Sequence, residues 1–485
     1  MKYGLSKSTY IRGLQCRKSL YLYKNRYFLR DPMPPEQQAR LNRGSDVGEL
    51  ARSLFPGGTD VSPRSPALMK KAIEQTAALL LEEETRVIYE ATFKADDVTV
   101  MMDILVRDGD GWIAYEVKSS LKVSQTYRED IALQYFVIRR SGLELKDIRI
   151  LYLNEAYRLG ESLDVRELLR EESLLEYARE KQSEVEANIH NLLIVANQGS
   201  SPVVPIGTHC KVPYPCEFRG HCWKGVPENS ALELSQLPEE ERFRQYHEGR
   251  RLVREIIKDE HWTLAQHKQL DAFLEGNNQI QEDEVRRHLS ALNPSCVAMQ
   301  LLVTRPAVPI FKGHQPFQPI LAGFAAKRHG SHEIILQVPD PSSFDPSIIM
   351  RQWMETFRYA DTIICFDADE MKSYIKLWAE VYSDHAPELT RILAGIIDIK
   401  TLLLQGWFSP YPAQDSLDLA SVAKVCGISA FMPLRIRNDK LAGEILRPMI
   451  TGGRQLKGFE MKHIEEFLSV SVHALPQIAD YLRKV

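Results

Sequence analysis

RVIYEATF (residues 86–93), VTVMMDILVR (98–107) and GWIAYEVKS (111–119) follow one another almost without interruption, and this stretch decides the fold. Each run is rich in β-branched, aromatic and aliphatic residues, the composition of a half-buried strand. Asp108-Gly109-Asp110-Gly111 joins the last two. Gly tolerates positive φ and Asp favours turns, so the pair reads as a hairpin. With those four residues as the loop, Arg107 pairs with Trp112, Leu105 with Ala114 and Asp103 with Glu116. Directly opposite Cβ atoms lie about 4.5–5.5 Å apart. Two carboxylates that close repel, and a divalent cation between them removes the conflict by using both as oxygen ligands. Side chains alternate along a strand, so Glu116 and Lys118 share a face. The hairpin therefore predicts Asp, Glu and Lys around one point. A metal there lowers the pKa of a bound water and polarises a phosphoryl oxygen, and the Lys orients that water or stabilises developing negative charge. The plain alternative is an exposed hairpin bearing ordinary charges.

Flanking residues add to this set. Glu49 lies in RGSDVGELARSLFPGG (43–58), a predicted helix that stops at Pro56-Gly57-Gly58. Glu90 lies in the first strand. After the hairpin, SQTYREDIALQYFVIRRSG (124–142) has helical periodicity, with Tyr127, Asp130, Gln134 and Ile138 near one stripe. From there Gln134 reaches either a nucleic acid or the catalytic Lys, unless it is a surface polar residue.

Cysteines form a second constellation. Cys210, Cys216 and Cys222 lie in THCKVPYPCEFRGHCWKG (208–225), with five residues between neighbours, and Cys16 lies in LSKSTYIRGLQCRKSLYLYK (5–24). Four thiolates hold an iron–sulfur cluster or a zinc ion. Structural zinc favours tighter pairs, so the spacing leans towards the cluster, with four buried or free thiols as the unliganded alternative. Closing a chain loop from Cys16 to Cys210 carries an entropy term of about 5 kcal/mol. Cys296, Cys365 and Cys426 read as core or loop residues.

The remaining composition bounds the setting. The chain has 485 residues, too many for one ordinary core, with 44% hydrophobic and 26% charged residues and a net charge of -4. Its charge is uneven: Met1 to Arg43 holds ten Lys or Arg against Asp31 and Glu36, a segment able to meet phosphates or simply a solvated basic face. No run approaches the roughly 18 apolar residues of a membrane span, and the N-terminus lacks a signal-peptide core. Seven cysteines, an odd number, argue against a disulfide framework. The expected location is the cytoplasm. Three regions are expected: a mixed α/β region at 1–226, a polar helical connector at 227–293, and a third region at 294–485 that returns to strands and helices.

Glu49, then Asp103, then Glu116-Val117-Lys118, then a helix with Gln134 resembles the RecB-type branch of PD-(D/E)XK nucleases. The resemblance implies a restriction-endonuclease-like α+β core with a central mixed sheet. It implies Mg²⁺ or Mn²⁺ held by Glu49, Asp103, Glu116 and the Val117 carbonyl, with Asp103, Glu116, Lys118 and Gln134 catalytic. One Cys before the core and three after it is similar to the layout of iron–sulfur nucleases of this branch, which implies [4Fe–4S] on Cys16, Cys210, Cys216 and Cys222. The family spacing is often C-x₂-C-x₅-C, and this chain departs from it between Cys210 and Cys216.

Nearly the whole chain resembles bacterial proteins carrying the domain of unknown function 2779. The matching stretches include LSKSTYIRGLQC, VGELARSLFPGG, HCKVPYPCEFRGHCW, residues 309–313, DTIICFDADE and IIDIKTLL. The resemblance implies a RecB-like nuclease joined through the helical connector to an RNase H-like, DEDD-type α/β domain. Such a domain opens on a strand carrying Asp-x-Glu, whereas VAMQLLVT (297–304) has no acid. Asp367, Glu370, Asp398 and Asp480 remain, so the third region reads as a degenerate exonuclease kept for binding or assembly. The expected function is a metal-dependent deoxyribonuclease acting on single strands or ends, with a protein partner on the C-terminal domain and no membrane. The alternative is a catalytically inactive nucleic-acid-binding or scaffolding subunit.

Overall fold

The computed structural model describes residues 2–33, 38, 46–292, 296–339, 344–412, 417–452 and 455–484. It is mixed α/β and divides into two compact units: Met1–Gly225 with Ala307–Phe317, and Val226–Pro306 with Gln318–Val485. The division differs from the three regions read along the sequence. Residues 227–293 belong to the second unit, because the short strand Gln279–Ile280 pairs with Phe408–Ser409 and Arg483 Nη2 donates to the carbonyls of Leu289 and Leu292. Residues 307–317 belong to the first unit, where Ala307, Val308 and Phe317 pack against its core. The expected boundary at Pro294 lies outside the described residues.

The first unit is built on a mixed sheet of β1 (Leu5–Ser6), β2 (Thr59–Asp60), β3 (Val87–Ala95), β4 (Val98–Asp108), β5 (Gly111–Lys118), β6 (Leu145–Leu153) and β7 (Leu169–Ser173), in the order β2-β3-β4-β5-β6-β7 with β1 on β4. The β4–β5 hairpin has the expected register, with Arg107 opposite Trp112 and Leu105 opposite Ala114. Its loop is shorter than four residues, since Asp108 pairs with Gly111. Gly109 takes a φ of 59° in the remaining two-residue turn, a conformation that favours glycine.

Both faces of this sheet are covered. Ile88, Leu105, Ala114 and Ile148 face one core with helices α1 (Lys7–Gln15), α2 (Arg17–Asn25), α3 (Met69–Leu81), α4 (Gln125–Arg140) and α5 (Gln182–Asn197). Val87, Tyr89, Ile104 and Tyr115 face another, built with Val47, Ala51, Leu168 and Ala307. By the same alternation Glu116 lies on the side of α1 and α4.

The β4–β5 ladder ends at Ile104 and Tyr115. Farther along the same edge of β4, β1 takes over, pairing Leu5 with Val98 and Ser6 with Thr99. The edge of β4 between these two partners is open, and Asp103 sits in the opening. Ser6 then caps α1, accepting from the Thr9 amide in a reciprocal capping box.

The second unit has a five-stranded sheet of β8 (Val297–Thr304), β9 (Ile320–Arg328), β10 (Ile335–Gln337), β11 (Ile363–Cys365) and β12 (Ile396–Asp398), in the order β10-β9-β8-β11-β12. Its antiparallel half is β10-β9-β8, and β8, β11 and β12 run parallel. Trp353, Phe357 and Trp378 fill its core.

Entry of β1 depends on Gly4. A Cβ there would stand 2.5 Å from the Asp97 carbonyl oxygen, the same oxygen that accepts from the Leu5 amide. Gly4→Ala should lower stability by about 1–3 kcal/mol in urea denaturation; unchanged stability would contradict this seating of the N-terminal strand.

Candidate functional site

Past Ile104 and Tyr115 the backbones of β4 and β5 no longer pair, and the Asp103 side chain takes over. Its Oδ2 accepts from the Val117 amide at 2.7 Å, satisfying a donor that the sheet leaves behind. On the other side of β4, Tyr89 and Ala91 pair with Ile104 and Met102, which sets Glu90 beside Asp103, and Glu116 follows Tyr115 just beyond the last β4–β5 pair, so the three acids lie at neighbouring positions of β3, β4 and β5. Glu90 adopts φ 55°, a left-handed backbone that a non-glycine residue rarely holds within a strand. Arg52 secures it, donating from Nη2 to Glu90 Oε1 at 3.1 Å and from Nη1 to Asp60 Oδ2 at 2.7 Å.

Glu116 is 1% exposed. Its Oε1 takes two ammonium groups, Lys118 Nζ at 2.5 Å and Lys7 Nζ at 2.7 Å. Its Oε2 accepts from Gln134 Nε2 at 2.9 Å. Lys118 also reaches Asp130 Oδ2 at 2.8 Å and lies over the Tyr127 ring, 5.2 Å from its centroid. The hairpin thus brings together Asp103, Glu116 and Lys118, and α4 adds Gln134 and Asp130.

Burial works against charge on Glu116, but Lys118 and Lys7 outweigh it and lower its pKa to about 2. For Asp103, burial and the neighbouring Glu116 both oppose ionisation and push its pKa up to about 7. Burial also opposes the ammonium of Lys118, yet Asp130 and Glu116 hold its pKa well above the ordinary value. Lys7 is raised in the same way by Asp130 and Glu116 against its burial.

The donor chemistry fits a hard divalent cation. Asp103 and Glu116 offer carboxylate oxygens from neighbouring strands. Gln134 is fully buried, and its Oε1 has no hydrogen-bond partner, an acceptor awaiting a donor or a cation. Among the described residues no three His, Cys, Asp or Glu side chains converge on a single-ion position. At the hairpin, the oxygens of Glu116 are instead turned to two ammonium groups and an amide.

Glu49 differs from its expected place. It stands exposed among the helical residues 46–52, and no hydrogen bond or ion pair among the described residues ties it to the three acids. Arg52, three positions on, points its guanidinium at Glu90, so this segment contributes a base rather than an acid. Val117 contributes its amide to Asp103, while its side chain packs on the opposite face.

The sequence reading missed Lys7 and Arg52. Asp130 had a signal, being four residues before Gln134 on one helical stripe. Lys7 had none beyond the basic character of its segment, because its partner is 109 residues away.

Cys16, Cys210, Cys216 and Cys222 line one pocket with Ser19, His209 and Phe218, and all four are free thiols. Cys16 ends α1 and begins α2, its Sγ accepting from the Ser19 amide. Gln15 Nε2 donates to the carbonyls of His209 and Tyr214 at 2.7 Å each, and Arg12 pairs with Glu217 at 2.6 Å. Burial raises the thiol pKa of Cys16, and of Cys222. The four thiols share one pocket and are the soft donors a thiolate-held group uses, but like the acids they do not converge on a single-ion position.

In the second unit, Asp367, Glu370, Lys400 and Asp439 border a cavity of about 540 Å³. Lys400 pairs with Asp367 at 2.6 Å, and Lys440 with Glu370 at 3.6 Å. Asp398 accepts from the amides of Asp367, Ala368 and Lys400, a structural use of its carboxylate. β8 carries no acid, and Asp480 meets His329 at 3.4 Å.

No protein-family model and no curated protein sequence matches the chain.

Asp103 sets a pH dependence. Its carboxyl keeps a proton in the native state between 3.8, its ordinary pKa, and about 7. The native state therefore binds more protons than the unfolded chain in that window, and this contribution to stability is lost as pH rises through it. Denaturation across the window should show a downward slope that Asp103→Asn flattens; an equal slope in the variant would contradict the assignment.

Proposed function

We propose that the first unit is a metal-dependent nuclease hydrolysing phosphodiester bonds in DNA, of the RecB-like PD-(D/E)XK kind. The observation that carries this reading is the placing of Glu90, Asp103 and Glu116 at neighbouring positions of three adjacent strands, with Lys118 on Glu116. Carboxylates so placed repel, and a purely structural sheet gains nothing from it. When bound, Mg²⁺ or Mn²⁺ supplies Lewis acidity and lowers the pKa of a coordinated water. Asp103 and Glu116 offer the oxygens that hold it. Gln134 orients Glu116, and Lys118 carries positive charge to where the phosphoryl oxygens become more negative.

The cysteine pocket is read as a [4Fe–4S] site, with zinc as the alternative. Its role is a clamp joining α1 and α2 to the loop 208–225. Among the described residues, no helix is long and apolar enough to cross a membrane. An odd count of seven cysteines argues against a disulfide framework and suits a reducing cytoplasm. The second unit lacks the leading carboxylates of an exonuclease and is read as a module for binding DNA or a protein partner.

Mn²⁺-dependent cleavage should appear in a panel of single- and double-stranded DNA and RNA with open and blocked ends, and fall at least about a hundredfold in Glu116→Ala and Lys118→Ala. Cleavage by both variants at the parental rate would remove the site. Binding without cleavage across the panel would favour the non-catalytic subunit. Anaerobically purified protein should be brown, and Cys16→Ser should lose the colour; colourless protein with stoichiometric zinc would replace the cluster.

A further inference from the structure

Lys7 enters the site by a route that the hairpin does not explain. β1 pairs with β4 on the edge that β5 has left. Ser6 ends that strand and caps α1. The first residue of α1 is therefore delivered to the opening where Asp103 sits. Its Nζ lies 2.7 Å from Glu116 Oε1 and 4.0 Å from Asp130 Oδ2.

Counting acceptor sites shows what this ammonium does. A carboxylate has about four lone-pair sites, two on each oxygen. On Glu116, Lys118 and Lys7 both use Oε1, and Gln134 uses Oε2. Lys118 already joins Glu116 to Asp130. With two ammonium groups on it, Oε1 has both lone-pair sites taken, so a cation that draws on this oxygen must displace one of them. A flexible four-carbon stem lets a lysine leave one anion for another.

We propose that Lys7 is a tethered counter-cation of the nuclease site, which holds Glu116 in the metal-free protein, yields that carboxylate to the incoming divalent cation, and then pairs with a backbone phosphate of the substrate. This rests on the nuclease reading above. Lys7 is in these terms a positioning residue for Glu116 and a binding residue for the nucleic acid.

The test is Mn²⁺ titration of the full chain by calorimetry, without substrate, followed by steady-state cleavage. Removing one positive charge beside a divalent ion should tighten Mn²⁺ binding in Lys7→Met by at least about tenfold. The same variant should show a raised KM for DNA, whereas Lys7→Arg stays near the parent in both. A folding defect would weaken both together, so tighter metal with weaker substrate is the distinguishing pair. Lys7→Gln, which keeps a donor for Glu116, carries the same expectation if the apolar side chain disturbs folding.

Unchanged or weaker Mn²⁺ affinity in folded Lys7→Met and Lys7→Gln overturns the proposal. Glu116→Gln in the same titration separates the two levels. Loss of binding there, with no gain in the Lys7 variants, sinks only the role of Lys7. Parental Mn²⁺ binding by Glu116→Gln overturns the metal-site reading and the role of Lys7 with it.

Discussion

The structure of the first unit turns on one buried carboxylate. Glu116 is held out of water by a sheet on one side and two helices on the other, and it stays ionised there because two ammonium groups and an amide meet it. Without both ammonium groups its charge would be buried without compensation, which costs several kcal/mol. The faces that β5 and α4 present and the entry point of α1 together meet that requirement. Asp103 beside it is protonated more readily than an ordinary carboxyl, because it too is buried and the ionised Glu116 opposes a second negative charge. A cation that serves both acids would remove this imbalance.

Helix α1 links the two constellations. Its first residue, Lys7, meets Glu116, and its end cap, Cys16, lines the cysteine pocket. Nine residues of α-helix span about 13 Å. The loop carrying Cys210 and Cys216 is tied to the same helix through Gln15, and its Tyr214 lies within electrostatic range of Tyr127, Lys118 and Asp130. Under the proposed reading, a group held by the four thiols would bear on the Glu116 site by two routes, one through α1 and one through the loop, and so on its geometry as well as on stability.

Much of the site was legible in the sequence because its geometry is local. Turn chemistry at Asp108–Gly111 gave the register, and strand alternation then placed Asp103, Glu116 and Lys118 together. Helical periodicity put Gln134 and Asp130 on one stripe. What escaped depends on long-range topology. Nothing in LSKSTYIRG says that β1 pairs with β4 and thereby delivers Lys7. Glu49 was assigned by resemblance, and the structure leaves it exposed while turning Arg52 to Glu90. The left-handed backbone of Glu90 has no sequence signature, since it reflects the surrounding sheet rather than the residue. The segment 307–317 joined the first unit for a similar reason: its apolar residues complete a core whose other members lie more than a hundred residues earlier.

The most direct measurement is a crystal structure of the full chain soaked in Mn²⁺, with the ion located by its anomalous scattering. The account predicts one strong peak between the carboxylates of Asp103 and Glu116, with the Lys7 ammonium displaced from Glu116 Oε1. A Mn²⁺ ion found only elsewhere, with the Lys7–Glu116–Lys118 contacts intact, would contradict it.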